Sequence, residues 1–299
     1  MRKFVETCGY FVEISPNLSN NVVIMKVRTF SVAFLPSNPS LAVMAVSALS
    51  LAAGTTTLQA QPISVPNYSF ESQSASGFPF DTNPNLDAWQ KIAEPAFYTP
   101  AFGSYGIPWS GTAGGFVNVS VYNPNPYANV TGAQAGYILM VPQVTLFQDY
   151  STSPTHDFNA TFEIGKAYNM TIGVYAKSSF GPIPTGSTLE LSLYYRDNLD
   201  NKVKVGSTVV TYSSAAFPTV ANPNLIDYQV NISAVQAGDA WAGKHIGIQL
   251  ESTIPIELTS FANWDFDNVR LTAVPEPTSL ALLGLGLGGL ALVRSRRGR

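Results

Sequence analysis

Short runs of alternating apolar and polar residues fill the middle of the chain, and glycine, proline, asparagine or aspartate separates them. Alternation with a period of two predicts β-strands, and these separators predict turns. No stretch of the middle region has a helical apolar stripe longer than two turns. Many short strands at even spacing predict an all-β fold, a jelly roll or β-sandwich. The predicted strands are 63–71, 115–122, two within 136–148 around Pro142, 158–164, 167–176, 188–195, 203–212, 227–232, 245–251 and 263–271.

A separate apolar run, Leu41 to Ala53, lies near the N-terminus and follows the basic segment Met25 to Arg28. This order and length are typical of an export signal, with a cleavage site after Ala60. The residues before Met25 include acidic side chains and fit such a signal poorly, so we predict that translation begins at Met25. The alternative is that the apolar run is a buried helix.

The C-terminus carries the third pattern. Pro275, Glu276 and Pro277 form a triplet that cannot be helical, because proline lacks an amide donor and restricts the residue before it. The apolar run from Leu280 to Val293 follows, and at 14 residues it is shorter than the ~20 residues of an ordinary transmembrane helix. We predict a short membrane span whose arginine-rich end stays in the cytoplasm, so that the body is exported. The arginines are Arg294, Arg296, Arg297 and Arg299.

Triplet, glycine-rich span and arginine cluster together resemble the PEP-CTERM sorting signal of Gram-negative bacteria. The resemblance implies an inner-membrane intermediate that an exosortase cuts at the triplet, followed by release to the cell surface or extracellular matrix. The alternative is a plain C-terminal anchor. The predicted organisation is a mis-assigned start (1–24), a signal peptide (25–60), a β-sandwich (61–273) and the sorting signal (274–299).

Cysteine and charge narrow the possible functions. Cys8 is the only cysteine and precedes the predicted start, so the body can hold neither disulfides nor thiolate metal sites. Residues 61–273 contain 8 lysines and arginines against 16 acidic residues. An acidic surface of this kind does not attract phosphate backbones, and nucleic acid is therefore not an expected partner.

The two ends of the body carry a second resemblance. Val65 to Glu71 and Phe266 to Leu271 are similar to the first and last strands of galactose-binding-like jelly rolls. That resemblance implies adjacent terminal strands that often hold a structural calcium ion, here through Glu71 and Asp267, with Asp265 as a substitute. Otherwise Glu71 faces solvent, and Asp267 caps a turn or pairs with Arg270.

Sugar binding needs aromatic rings that stack on pyranoses, with amides nearby for the hydroxyl groups. The candidates are Trp89, Trp109, Tyr122 and Tyr127, which lie in or beside predicted loops. The competing interpretation is that these rings are buried with their polar tips satisfied, which is common for tryptophan and tyrosine.

Catalytic patterns are scarce, and we predict no catalytic residue. His156 and His245 have no zinc-site spacing, and no nucleophile motif occurs. The prediction is an exported, non-enzymatic surface or matrix protein that binds extracellular polysaccharide. The alternatives are a secreted carbohydrate-active enzyme that uses a pair of carboxylates, and a structural coat protein without a small ligand.

Overall fold

The structure is a computed structural model that describes residues 12–17, 22–27, 59–72, 87–99, 106–118, 125–178 and 182–275. The chain divides into two units, Met1–Gln59 and Ala60–Arg299. In the first unit, strands β1 (Val12–Asn17) and β2 (Val22–Val27) form an antiparallel hairpin. The predicted signal core (Leu41 to Ala53) and membrane span (Leu280 to Val293) lie outside the described residues.

One sheet of the second unit has six strands. Its path is β11-β8-β13-β6-β5, with β3 paired to the far part of β13, and every pairing is antiparallel. The long strands β8 and β13 form its centre. The strands are β3 (Gln61–Ile63), β5 (Ala113–Val117), β6 (Gln134–Leu139), β8 (Lys166–Lys177), β11 (Ile226–Ile232) and β13 (Asn263–Pro275).

The other sheet has five strands in the order β10-β9-β12-β7-β4, again all antiparallel. A bulge between Lys204 and Gly206 interrupts the β9–β10 pairing. The strands are β4 (Gln90–Lys91), β7 (Thr145–Gln148), β9 (Thr188–Arg196), β10 (Lys202–Thr211) and β12 (Gly247–Ser252).

The apolar core follows from strand alternation. Leu189, Leu191 and Leu193 are fully buried, because every second residue of β9 points to the same side. At one end of the core, Phe70 stacks on Trp89 with ring centroids 5.4 Å apart and meets Phe266 edge-on at 5.1 Å. The prediction of an all-β sandwich is confirmed.

Two predicted strands are wrong. The opening strand ends at Ile63, because the chain then turns through left-handed conformations at Asn67 and Phe70 (φ 45° and 56°). Residues 158–164 contribute only an isolated bridge, from Thr161 to His245, since their neighbouring hydrogen bonds go to the turn at 243–246 instead of a strand ladder.

In the described residues, helical structure consists of short pieces. Within the described ranges, the named helices of the second unit are 3-10 turns at Trp109–Thr112 and Ile256–Leu258. In that part of the chain, no helix has the length and hydrophobicity needed to cross a bilayer.

Candidate functional site

The acidic side chain of Asp265 is buried in the six-stranded sheet, with 1% of its surface exposed. Its carboxylate accepts hydrogen bonds from the Tyr127 hydroxyl and from the Asn263 side-chain amide. Strand β13 is buried on both faces at this point, so an acidic residue here occupies space that an apolar residue would normally fill. Burying a carboxyl group is costly unless it is hydrogen-bonded, and these contacts satisfy that need.

Strand register surrounds Asp265 with aromatic rings. Asp265 lies opposite Tyr175 on β8 and Tyr137 on β6, so the three residues form one row across the sheet. Tyr127 packs on Tyr175 (ring centroids 5.6 Å apart) and lies 6.5 Å from Phe116. We name Asp265, Tyr127, Tyr137, Tyr175 and Phe116 the acid–tyrosine cluster.

The Asn118 side chain fixes the position of Tyr127. Its amide nitrogen donates to the Tyr127 carbonyl, and its oxygen accepts from the Tyr127 amide, both at 2.8 Å. Because Asn118 follows β5 directly, the sheet controls where the Tyr127 hydroxyl lies.

Burial determines the proton chemistry of this cluster. It raises the pKa of Asp265 to about 6, although the positive charge of Lys177 and the two donated hydrogen bonds act in the opposite direction. Burial, with the nearby Asp265 charge, also raises the pKa of Tyr127 well above its usual value, so the phenol remains a donor. An acid with a pKa near 6 can both give and recover a proton close to neutral pH.

The sequence predicted this cluster only in part. Tyr127 appeared as a sugar-stacking ring and Asp265 as a substitute metal ligand, and neither was expected to be catalytic. The available signal was the alternation of the polar residues Asn263, Asp265 and Asp267 with the aromatic residues Trp264 and Phe266.

A second acidic feature lies beside β13, where the loop that follows β3 approaches the segment before β6. Segment 131–134 connects two carboxylates here: the Thr131 amide donates to Asp267 at 2.7 Å, and the Ala133 and Gln134 amides donate to Glu71 at 2.9 and 2.6 Å. We name Glu71, residues 131–134 and Asp267 the carboxylate corner. The predicted metal ligands Glu71 and Asp267 are therefore close enough to interact electrostatically.

The carboxylate corner has properties that suit a cation. Asp267 is fully buried, and its Oδ1 has no hydrogen-bond partner among the described residues. Burial raises the pKa of Asp267 to about 7, and the negative charge of Glu71 contributes to this shift. Arg270 pairs instead with Asp227, at 2.5 Å. In the described part of the chain no group of three or more His, Cys, Asp or Glu side chains surrounds a metal position, so backbone carbonyls and water would complete the ligand set.

The predicted sugar-stacking rings that lie in the described residues are buried in the protein. Trp89, Trp109 and Tyr127 are 0%, 7% and 3% exposed. The indole nitrogens of the two tryptophans donate to the carbonyls of Asn67 (3.1 Å) and Ile92 (2.9 Å). A buried ring cannot stack on a sugar unless the chain covering it moves. Tyr122 lies outside the described residues.

The two histidines of the body are brought together on one tyrosine ring. The rings of His156 and His245 stack on opposite faces of Tyr150, each with centroids 4.0 Å apart. No sequence pattern indicates this stack, because His245 is far from Tyr150 and His156 along the chain.

The predicted processing residues are only partly described. Ala60 is exposed directly before β3, and Pro275 is the last residue of β13. The remaining sorting residues lie outside the described residues: Glu276, Pro277, Arg294, Arg296 and Arg297.

Solved structures of similar fold include bacterial cyclases. A cyclase from Fischerella sp. TAU has 20% identity and a TM-score of 0.50, covering 74% of this chain and 100% of its own. The Stig cyclase Fisc from the same source, in complex with (3Z)-3-(1-methyl-2-pyrrolidinylidene)-3H-indole, has 19% identity, a TM-score of 0.49, and coverage of 73% and 100%. The CBM22-1 xylan-binding domain from Paenibacillus barcinonensis Xyn10C has 12% identity, a TM-score of 0.37, and coverage of 70% and 94%. At 20% identity, the likeness to the first cyclase concerns the fold alone. The other two structures, with TM-scores of 0.49 and 0.37, support no argument.

Family models match both parts of the chain, whereas a comparison with curated proteins finds no match. The PEP-CTERM protein-sorting motif matches residues 273–297, which confirms the predicted sorting signal and marks the protein as exported. The model described as HpiC1 cyclase matches residues 61–272, which is most of the chain. The chain therefore belongs to the HpiC1 cyclase family and carries a C-terminal PEP-CTERM motif.

Proposed function

We propose that the exported β-sandwich is a cyclase whose proton donor is Asp265. The observation that carries this proposal is the buried carboxyl group of Asp265, with a pKa near 6, in a row of tyrosines. Membership of a family described as a cyclase supports it. It replaces the prediction of a non-enzymatic body as the favoured function.

The proposed reaction is an isomerisation by protonation. The Asp265 carboxylic acid gives its proton to one carbon of a substrate double bond, and the π electrons form the new C–H bond. A second π bond of the same molecule attacks the resulting carbocation and closes the ring. Loss of a proton to the Asp265 carboxylate then restores the acid, so product and substrate have the same composition. The surrounding aromatic faces would stabilise the cation.

Access to the acid requires movement. Asp265 and Tyr127 are both buried, so a substrate reaches the carboxyl group only when the segment that carries Tyr127 shifts. The Asn118 contacts return Tyr127 to one position when the site closes.

The test is a screen of alkene-bearing aromatic compounds with the full-length protein in D₂O. We expect a cyclic isomer carrying one deuterium, a rate that falls above about pH 6, and loss of product in Asp265→Asn. Asp227→Asn is the matched control, because Asp227 is an exposed carboxylate paired with Arg270. Undiminished turnover in Asp265→Asn would contradict the assignment.

We also propose that the carboxylate corner holds calcium. Glu71 and Asp267 would provide the charged ligands, and the ion would supply a fixed positive charge that keeps both carboxylates ionised. The unpartnered Oδ1 of Asp267 supports this assignment.

Binding of extracellular polysaccharide is the second candidate function. The candidate sugar-stacking ring is now that of Tyr68. Tyr68 is 45% exposed and is the aromatic residue among the exposed large hydrophobic side chains of the described ranges. It adjoins the carboxylate corner, since its carbonyl accepts a hydrogen bond from Val269 at 2.9 Å. An exposed ring beside a calcium ion would suit calcium-dependent sugar binding.

A glycan array with and without calcium tests this candidate. We expect Tyr68→Ala to abolish binding, while Leu199→Ala, which removes a more exposed apolar side chain elsewhere, leaves it unchanged. Absence of binding to every glycan, with and without calcium, would contradict this candidate function.

For export we propose the route that the sorting motif implies. The leader that ends at Ala60 would be removed, and the C-terminal span would hold an inner-membrane intermediate. An exosortase would then cut near Pro275, Glu276 and Pro277 and release the body to the cell surface or matrix.

A further inference from the structure

An open groove lies on the five-stranded sheet, away from the acid–tyrosine cluster and the carboxylate corner, both of which belong to the six-stranded sheet. It encloses about 400 Å³ at the end of β12. Half of its lining residues are apolar and half are polar, and the polar ones are Gln143, Glu251, Ser252 and Thr253. The apolar residues are Phe97, Pro142, Ile254 and Ile256.

At the acidic end of the groove, the described residues give Glu251 no salt-bridge partner. Glu251 lies directly opposite Glu190 on β9, and like charges in this arrangement destabilise a sheet. Lys204 neutralises Glu190 through a 2.6 Å ion pair. Glu251 accepts a hydrogen bond from the Gln249 amide at 2.9 Å, and in the described part of the chain it forms no salt bridge. The neighbouring Lys202 ammonium lies instead 3.1 Å from the centre of the Phe147 ring and bonds Gln249 at 3.2 Å.

The environment of Glu251 favours a bound positive charge. Burial, with the Glu190 charge, raises the pKa of Glu251 above its usual value, although Lys204, Lys202 and the Gln249 hydrogen bond act in the opposite direction. A bound cation would lower this pKa. Gln143 lies at the groove in a left-handed conformation (φ 63°), a strained state that is frequent at functional positions in proteins.

The apolar residues of the groove favour a ligand that carries an apolar group beside its positive charge. Ile256 is 52% exposed, so one wall remains open to solvent and available for contact. We propose that this groove binds a small molecule with a primary ammonium group on a compact apolar body, the ammonium bonding Glu251 and the body lying between Phe97 and Ile256. This site is independent of the proposed cyclase reaction.

Calorimetric titration of the full-length protein with benzylammonium tests the proposal, and benzyl alcohol is the neutral probe of the same shape. We expect benzylammonium to bind at least about tenfold more tightly than benzyl alcohol, which is the change typical of one lost charged contact. Glu251→Gln should bring the two probes to similar affinity, and Ile256→Ser should weaken both.

Glu163→Gln is the matched control, because Glu163 is an exposed carboxylate paired with Lys166 at 2.7 Å. We expect it to bind benzylammonium like the unaltered protein. Glu251→Gln removes a repulsion and keeps the side-chain shape, so it should remain folded, which thermal melting verifies. Equal affinity for the two probes, or undiminished benzylammonium binding in Glu251→Gln, would overturn the proposal.

Discussion

The Tyr127 hydroxyl donates a hydrogen bond to the buried carboxylate of Asp265, although the two residues are 138 positions apart in the chain. A donor to the ionised form favours that form, so this bond keeps the pKa of Asp265 lower than burial alone would place it. The same contact ties the segment after β5 to the centre of the six-stranded sheet.

The first prediction concerns this bond. Tyr127→Phe should raise the pKa of Asp265 further and lower the free energy of unfolding by about 1–2 kcal/mol, because a buried acceptor loses its donor. Carboxyl titration by ¹³C NMR measures the first effect, and urea unfolding measures the second. Tyr98→Phe removes a phenol that donates to the Ile107 carbonyl at 2.6 Å, and it should leave Asp265 unchanged. An unaltered Asp265 titration in Tyr127→Phe would refute the assignment.

The second prediction concerns pH. The pKa values of Asp265 and Asp267 are raised to about 6 and about 7 in the folded protein, against about 3.9 for an unfolded aspartate. The folded state therefore binds more protons between these values, and stability should fall as pH rises from about 4 to about 7. Urea unfolding without calcium across this range measures the slope. Asp267→Asn should flatten its upper part, and a slope unchanged in that variant would contradict the prediction.

The third prediction concerns calcium. Ionised Asp267 is the form that binds a cation, so calcium should raise the melting temperature by about 5 °C or more at pH 7.5 and by much less at pH 5. Chelation should reverse the increase. Glu71→Gln and Asp267→Asn should each abolish it, whereas Asp227→Asn should not. An equal shift at both pH values would argue against the carboxylate corner as the site.

The fourth prediction concerns Gly132. Its φ is 82°, and a Cβ atom placed there would lie 2.5 Å from the Glu71 carboxyl carbon. Gly165 has nearly the same φ, 79°, with no atom within 4 Å of such a Cβ. Both alanine variants bear the backbone strain, and only Gly132→Ala displaces Glu71. Gly132→Ala should therefore lose at least about 1 kcal/mol more stability than Gly165→Ala, and it should also weaken the calcium response. Equal losses of stability in the two variants, measured by urea unfolding, would contradict the prediction and show that the Glu71 side chain can move aside at no cost.

The fifth prediction concerns sorting. Replacing Glu276 or deleting Arg294 to Arg299 should leave the precursor in the inner membrane, because the first change alters the cleavage triplet and the second removes the arginines that orient the span for cutting. Membrane fractionation and immunoblotting measure the retained precursor. Asp227→Asn is the control for the antibody and for the fold of the body. Normal release from either altered precursor would contradict the proposed route.

Part of the candidate site could be predicted from the sequence. Glu71 and Asp267 were expected to be neighbours, because terminal strands of such sandwiches lie side by side, and the structure places both against segment 131–134. The burial of Trp89 and Trp109 was left open, since a ring in a loop has no period that shows which way it faces. The two strands predicted wrongly, at 63–71 and 158–164, had strand-like alternation but lacked a continuous hydrogen-bonding partner strand.

The sequence by itself determined the sandwich, the cysteine-free body and the sorting motif, because these depend on local alternation, composition and a contiguous signal. Tertiary structure alone decided where the chemistry lies. Asp265 gains its raised pKa from burial, and Glu251 lies opposite the like charge of Glu190 because of the register between β9 and β12. Both effects depend on distances between residues far apart in the chain, and these distances are fixed only when the strands pair and the two sheets pack.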